Sequence, residues 1–183
     1  MITVILLGGR GEYKGAKRIA SALSRHGGSI LVQDHIISQS GEGEPRFLVG
    51  ESSELPKLDC PHAIVIFEKD RDRAAGRVIS DRHIAIVSGD CGKAVESLMS
   101  SNTTAITCGM SLRDTLTFSS IHDSGAVVSL QRAILTVFGH AVEPFEFPIR
   151  WESREDPYLA LSICAVLLLS EQIVPGVSSV MEL

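Results

Sequence analysis

The chain opens on an almost unbroken apolar run, Ile2 to Leu7. Such a run is the mark of a strand buried on both faces of a parallel sheet. Ala63–Phe67 (AIVIF) and His83–Val87 (HIAIV) repeat the pattern, and Thr104–Cys108 (TAITC) gives a further strand ending at Gly109. Over Ala16–His26 the period changes: Ile19, Leu23 and flanking alanines recur at helical spacing, and Gly27-Gly28 stops the helix. Ser29–His35 reads as the second strand, so the first 35 residues predict a βαβ unit. Residues 38–57 are rich in Gly, Ser, Glu and Pro and read as surface loop, with a short strand at most over Arg46–Val49. The alternating charges of Glu68–Arg82 predict a solvated helix, and Asp90 is placed to cap a helix over Gly92–Ser100.

After residue 110 the texture changes. Thr115–Phe118, Ala126–Leu130 and Val142–Ile149 alternate apolar and polar positions, as antiparallel strands with one wet face do. Pro144 and Pro148 put the last of these at a sheet edge. A final helix opens with Asp156 as N-cap and Pro157 at its first position and runs to Gln172, before Pro175-Gly176. It is apolar nearly all round, which implies burial between layers or at a subunit contact. The expected fold is α/β: a three-layer, Rossmann-like, mostly parallel sheet with an antiparallel C-terminal extension and a buried C-terminal helix. Residues 1–183 form one domain, the parallel core over 1–110 and the extension over 111–183.

Composition fits this reading. With 44% apolar and 21% charged residues the 183-residue chain is of globular type. A net charge of −5 argues against nucleic acid as a partner. The charge is unevenly spread: Arg10, Lys14, Lys17, Arg18 and Arg25 stand against only Glu12 in residues 1–28, which suits a small anion. Cys60, Cys91, Cys108 and Cys164 form no C-x-x-C pair, and Cys108 and Cys164 lie in apolar runs that predict buried thiols. The N-terminal strand has no basic flank or cleavage pattern. The longest apolar run, Leu159–Leu169, falls short of the ~20 residues of a membrane span. A reducing cytoplasm is the expected compartment, with no membrane partner.

The candidate chemistry centres on Gly8-Gly9-Arg10-Gly11-Glu12-Tyr13-Lys14-Gly15, between the first strand and the first helix. Glycines there let backbone N–H groups approach phosphate oxygens, and Arg10 or Lys14 would offset the charge. The loop completes neither motif it evokes: it lacks the Gly-Lys-Ser/Thr ending of a P-loop, and its spacing is GxGxxxG rather than GxGxxG. The bland alternative is a tight turn that uses glycine for steric reasons. Asp34, 19 residues after Gly15, falls where a dinucleotide fold places its ribose-binding acid. In Ser88-Gly89-Asp90-Cys91-Gly92, Asp90 could touch a ribose or metal, although capping is its commoner role. Asp114 and Asp123 read as turn residues. The six histidines never pair at metal-ligand spacing, so no metal is predicted and the cofactor is left open, a nucleotide being the one candidate.

In order, these features resemble the central ATP-binding domain of the Mur ligase family, which includes folylpolyglutamate synthetase. Strand, glycine loop and helix at 2–26 are similar to the family's opening strand, P-loop and first helix. His83–Asp90 resembles the strand ending in an Asn-x-Asp-Asp turn; Thr104–Gly109 and Asp114–Ile121 resemble its V-x-T-Y-G strand and the strand after it. Pro148–Ile173 resembles its strand, G-x-H-N turn and packing helix. The departures matter as much. The P-loop Lys and Ser/Thr have no equivalents in order, since Lys14 precedes Gly15; Phe67-Glu68-Lys69-Asp70 stands where the family has Asp-His. Asp90 alone survives of the acidic turn, and Asp156-Pro157 replaces the His-Asn pair. The resemblance therefore implies a stand-alone domain without ligase chemistry: a binding or regulatory module for a phosphate-containing or nucleotide ligand, at Gly8, Gly9, Arg10, Gly11, Lys14, Gly15, Asp34 and Asp90. A homo-oligomer would form through the C-terminal helix or the Val142–Ile149 strand. The rivals are a small NAD(P)-dependent Rossmann-type enzyme and a structural subunit of a larger complex.

Overall fold

The computed structural model describes residues 1–8, 14–54, 58–68, 83–100, 103–151, 156–176 and 180–183. Gly9–Tyr13, and with them most of the glycine loop, lie outside the described residues, as does the charged segment 69–82 where a solvated helix was expected. Within the rest, five parallel strands form the centre of an eleven-stranded sheet: β1 (Ile2–Leu7), β4 (Phe47–Ser52), β5 (Ala63–Phe67), β6 (Ile84–Ser88) and β7 (Thr104–Cys108). The remaining strands are β2 (Ser29–Gln33), β3 (Ile36–Ser40), β8 (Leu116–His122), β9 (Gly125–Leu130), β12 (Glu146–Arg150) and β13 (Met181–Glu182). Their order across the sheet is β13-β12-β9-β8-β7-β6-β5-β1-β4-β2-β3. A separate ribbon pairs β10 (Ile134–Leu135) with β11 (Ala141–Val142).

The apolar runs behave as their composition demands. Every residue of β5 and β6 is buried. Ile64 and Ile66 enter the main core on one face while Val65 and Phe67 join a smaller cluster on the other, as the two-residue period of a strand requires. Helix α1 (Lys14–Ser24) lays Ala16, Ile19, Ala20 and Leu23 on the first face, over β1, β2 and β4. Helix α2 (Gly92–Ser100) covers the second with Ala94 and Leu98. Three layers result.

Helix α3 (Pro157–Leu169) shares the first face with α1, and each residue from Ala160 to Leu169 is buried. Its all-round apolarity goes with enclosure: it packs on β6, β7 and β8, with α1 alongside. Phe147, Ile149, Trp151 and the buried Leu183 belong to the same core as α3, and Arg25 at the end of α1 donates to the Leu183 carbonyl at 3.0 Å. Of the two expectations for this helix, burial between layers is what the chain shows, Ala160 to Leu169 being buried within one copy.

Several expectations need correction. The polar stretch 38–57 is not one surface loop. It carries β3, antiparallel to β2, and all of β4, which runs parallel between β1 and β2 in register Ile2↔Phe47 to Leu7↔Ser52. The first two strands are thus not neighbours. Val142–Ile149 is not one edge strand, for it divides into β11 and β12, and β12 pairs with β9 on one side and, through Ile149 and Arg150, with β13 on the other. Pro148 is accommodated because β13 spans only two residues and leaves that position free. Helix α3 stops at Leu169, not Gln172. Glu171 adopts φ +60° and the bonds Glu171 N–H to Leu168 O (3.1 Å) and Gln172 N–H to Leu167 O (2.8 Å) close a Schellman motif. A glutamate occupies the left-handed position where glycine is usual, so the sequence carries no stop signal there.

Candidate functional site

The strand order reverses direction at β1. From β1 the chain builds β2, β3 and β4 on one side, then β5, β6 and β7 on the other. In an open α/β sheet the crevice beyond the carboxyl ends at such a switch point is where ligands bind. Gly8 sits at that point with φ +126°. Its N–H donates to the Ser52 carbonyl at the end of β4 (2.9 Å), and the Glu68 N–H at the end of β5 donates to the Leu7 carbonyl (2.9 Å). These two bonds fix the rims of the crevice on either side of the glycine loop.

The loop leads into α1, whose first residue is the exposed Lys14. The first turn of α1 holds no acidic residue, so the partial positive charge of its amide end is not neutralised from within the helix. Gly15 is half-buried against β1: a Cβ added there would fall 2.6 Å from Leu6 Cδ2. Gly8, Lys14 and Gly15 are thus gathered at the switch point. Gly9, Arg10 and Gly11 lie outside the described residues.

Asp34 and Asp90 are not brought to the loop directly. Asp34 is exposed, at φ +27°, in the turn joining β2 to β3. With β4 intervening, it lies two strand spacings from β1, about 10 Å. The place beside β1 where a dinucleotide fold carries its acid belongs instead to β4, which ends in the half-buried Glu51 and Ser52. Sequence reading missed these two because only Phe47-Leu48-Val49 of that strand is apolar. Asp90, exposed at the end of β6, lies two strands from β1 on the other side. Nor does it take the capping position: the first helical bond of α2 runs from Val95 N–H to the Cys91 carbonyl (3.1 Å), which makes Cys91 the N-cap.

Two further residues shape this end of the sheet. Asp114 is no simple turn residue, being 5% exposed and wedged between the turns that follow β6 and β7. Any Cβ on Gly89 would meet Asp114 Oδ1 at 1.8 Å, and one on Gly109 would meet Asp114 Oδ2 at 2.4 Å. The same carboxylate accepts the Ser111 N–H at 3.1 Å. Glycine at 89 and 109 is the only local signal, and it is legible only once the strands are paired. Tyr158, in the first turn of α3, is also buried; its hydroxyl lies 2.5 Å from the carbonyl of Phe67, the last residue of β5, and 3.3 Å from that of Ile86 in the middle of β6. Asp156 fixes the entry of the helix by accepting the Leu159 N–H at 3.0 Å. Burial raises the Tyr158 hydroxyl well above its ordinary range, with the nearby Cys108 adding to the shift. Burial does the same to the Cys164 and Cys108 thiols, the latter further raised by Cys164 and Asp114.

Among the described residues no three His, Cys, Asp or Glu side chains gather as metal ligands, and no helix is long and apolar enough to cross a membrane. The crevice therefore presents backbone N–H groups and Lys14 at its centre, with the carboxylates Glu51, Glu68 and Asp90 at the ends of the flanking strands. Such an arrangement can bind.

The architecture is that of a Mur-ligase-like α/β domain. The chain superposes on a solved UDP-N-acetylmuramoyl-L-alanyl-D-glutamate–2,6-diaminopimelate ligase with a TM-score of 0.54 at 12% identity, over 94% of this chain and 43% of that one. It superposes on the UDP-N-acetylmuramate:L-alanyl-γ-D-glutamyl-meso-diaminopimelate ligase of Neisseria meningitides with a TM-score of 0.58 at 12% identity, over 92% of this chain and 61% of that one. At this identity the likeness is one of fold. The chain spans about half the length of these ligases. No protein-family model matches the sequence, and no curated protein matches it.

Proposed function

We propose that this domain is a binding or regulatory module that holds a phosphate-containing or nucleotide ligand at the carboxyl end of β1 and does not ligate. The observation that carries the proposal is the reversal of strand order at β1, which opens a crevice where Gly8 leads into the glycine loop and α1 presents its amide end. The ligases it resembles in fold are named for muramoyl-peptide substrates, and the nucleotide part of such ligands is the chemistry we assign to this site. The non-catalytic reading rests on the residues themselves: no Ser/Thr follows the loop lysine in P-loop order, and Asp156-Pro157 stands at the start of α3. The displacement of Asp34 by one strand, outward past β4, speaks against an NAD(P) enzyme of Rossmann type. We assign the protein to the cytoplasm, in keeping with its free, buried thiols at Cys108 and Cys164.

The test is calorimetric titration with ATP, ADP, UDP-sugars and NAD(P). Binding of a nucleotide that weakens about ten- to hundredfold in Lys14→Ala, the worth of a charge-assisted hydrogen bond, and is lost in Gly11→Asp is expected. No heat and no thermal stabilisation with any of these ligands would refute the reading.

A further inference from the structure

We infer that β3 is the surface through which two copies of this chain pair, edge to edge and antiparallel, extending one sheet across a two-fold axis. Among the described strands β3 closes one end of the sheet, and all five of its residues are exposed. Its pairing with β2 is unbroken from Ser29↔Ser40 to Gln33↔Ile36, so the edge carries no bulge. Nor does Ile36-Ile37-Ser38-Gln39-Ser40 contain a proline or a charge. Open edges are ordinarily guarded by such devices, or kept as short as the two-residue β13 at the opposite end of this sheet. Here the edge instead displays Ile36 at 62% and Ile37 at 74% exposure, with Val32, the cross-strand partner of Ile37, at 37%.

Charge selects both the occupant and the register. Pairing centred on Ser38 would set Asp34 against Glu42 of the second copy, two like charges face to face. Centring on Ile37 removes the conflict: Asp34 faces Ser40, His35 faces Gln39, Ile36 faces Ser38, and Ile37 meets Ile37. Val32 of each copy then flanks the central pair, giving one apolar cluster of four side chains. An uncharged strand offers a foreign acidic or basic segment nothing to select, whereas its own copy satisfies it residue by residue. The interface is isologous, as two-fold dimers require.

Sedimentation equilibrium over a dilution series tests this. Expected is a mass approaching twice the 19.7 kDa of the chain at high concentration, falling to 19.7 kDa for Ile37→Lys at every concentration with an unchanged far-ultraviolet spectrum. Amide exchange over residues 36–40 should slow as concentration rises. A wild-type mass of 19.7 kDa throughout overturns the inference. So does a dimer that survives Ile37→Lys, or one whose 36–40 amides exchange at the rate of the dilute protein, since pairing would then lie elsewhere.

Discussion

Tyr158→Phe removes one oxygen from a core otherwise unchanged in volume. The hydroxyl it deletes reaches two backbone carbonyls, Phe67 at 2.5 Å and Ile86 at 3.3 Å, from a residue only 8% exposed. Loss of a buried donor forfeits the net bond and leaves a desolvated acceptor, a cost of about 1–2 kcal/mol. A chain of 183 residues has an unfolding entropy of about 0.4 kcal/mol/K, so the expected fall in Tm is about 3–5 °C at pH 7. The effect has a pH signature. Because burial holds the hydroxyl above its ordinary value of 10.0 in the fold, its contribution is whole below pH 10 and is lost as pH rises beyond it. The raised Cys108 and Cys164 thiols also destabilise the fold at alkaline pH, but they do so in both proteins and cancel in the difference. Calorimetry of wild type and Tyr158→Phe from pH 7 to 11 should show a gap in Tm that narrows above pH 10. A gap below ~1 °C at pH 7, or one that does not change with pH, would refute the role given to this hydroxyl.

Leu167→Ala, in the middle of α3 at 0% exposure, should cost about 3–5 kcal/mol, read as a lower midpoint in urea with an unchanged slope. Gly89→Ala drives a methyl group into the Asp114 carboxylate and should cost about 1–3 kcal/mol; adding Asp114→Ala removes the clash, so the double variant should lose less than the sum of the two in a denaturation cycle. Glu171, held below its ordinary value of 4.5 by hydrogen bonds from Thr136 and His140, contributes stability above pH 4.5 that disappears as pH falls. Glu171→Gln should therefore be less stable than wild type at neutral pH and approach it in acid, as measured by urea midpoints across that range.

Elements with a one-signal sequence were legible in advance and those needing a partner were not. Strands β1, β5 and β7 and helix α2 fall on the runs that predicted them, because an apolar run, or one amphipathic period, leaves a local trace. Strand β3 left none: every side chain faces water, so Ser38, Gln39 and Ser40 read as loop. Half of β4 was hidden because Gly50-Glu51-Ser52 reaches the crevice mouth, where polar residues belong. From this one omission follows the misplacement of Asp34, since the inserted β4 moves β2 one place outward. The glycine loop is a candidate on a signal that lies wholly among neighbours in sequence. Asp114 and Tyr158 were missed because their partners stand 25 and 91 residues away, and neither type of residue at such positions is unusual.

The antiparallel half is no appendage to the parallel core. Helix α3 touches the carbonyls of β5 and β6 through Tyr158 in its first turn, while its other end is fastened to the segment between β10 and β11. There Val137 donates to the Leu169 carbonyl at 3.0 Å and Thr136 to the Glu171 carboxylate at 2.7 Å. A helix without a polar face must be enclosed on all sides, and α3 lies against β6, β7 and β8 with α1 beside it, in the same core as Phe147, Ile149 and Leu183. Strands β5 and β6 are thus tied to a helix that the residues after 110 supply. Any chain truncated there would keep the glycine loop and lose the support of the site it opens.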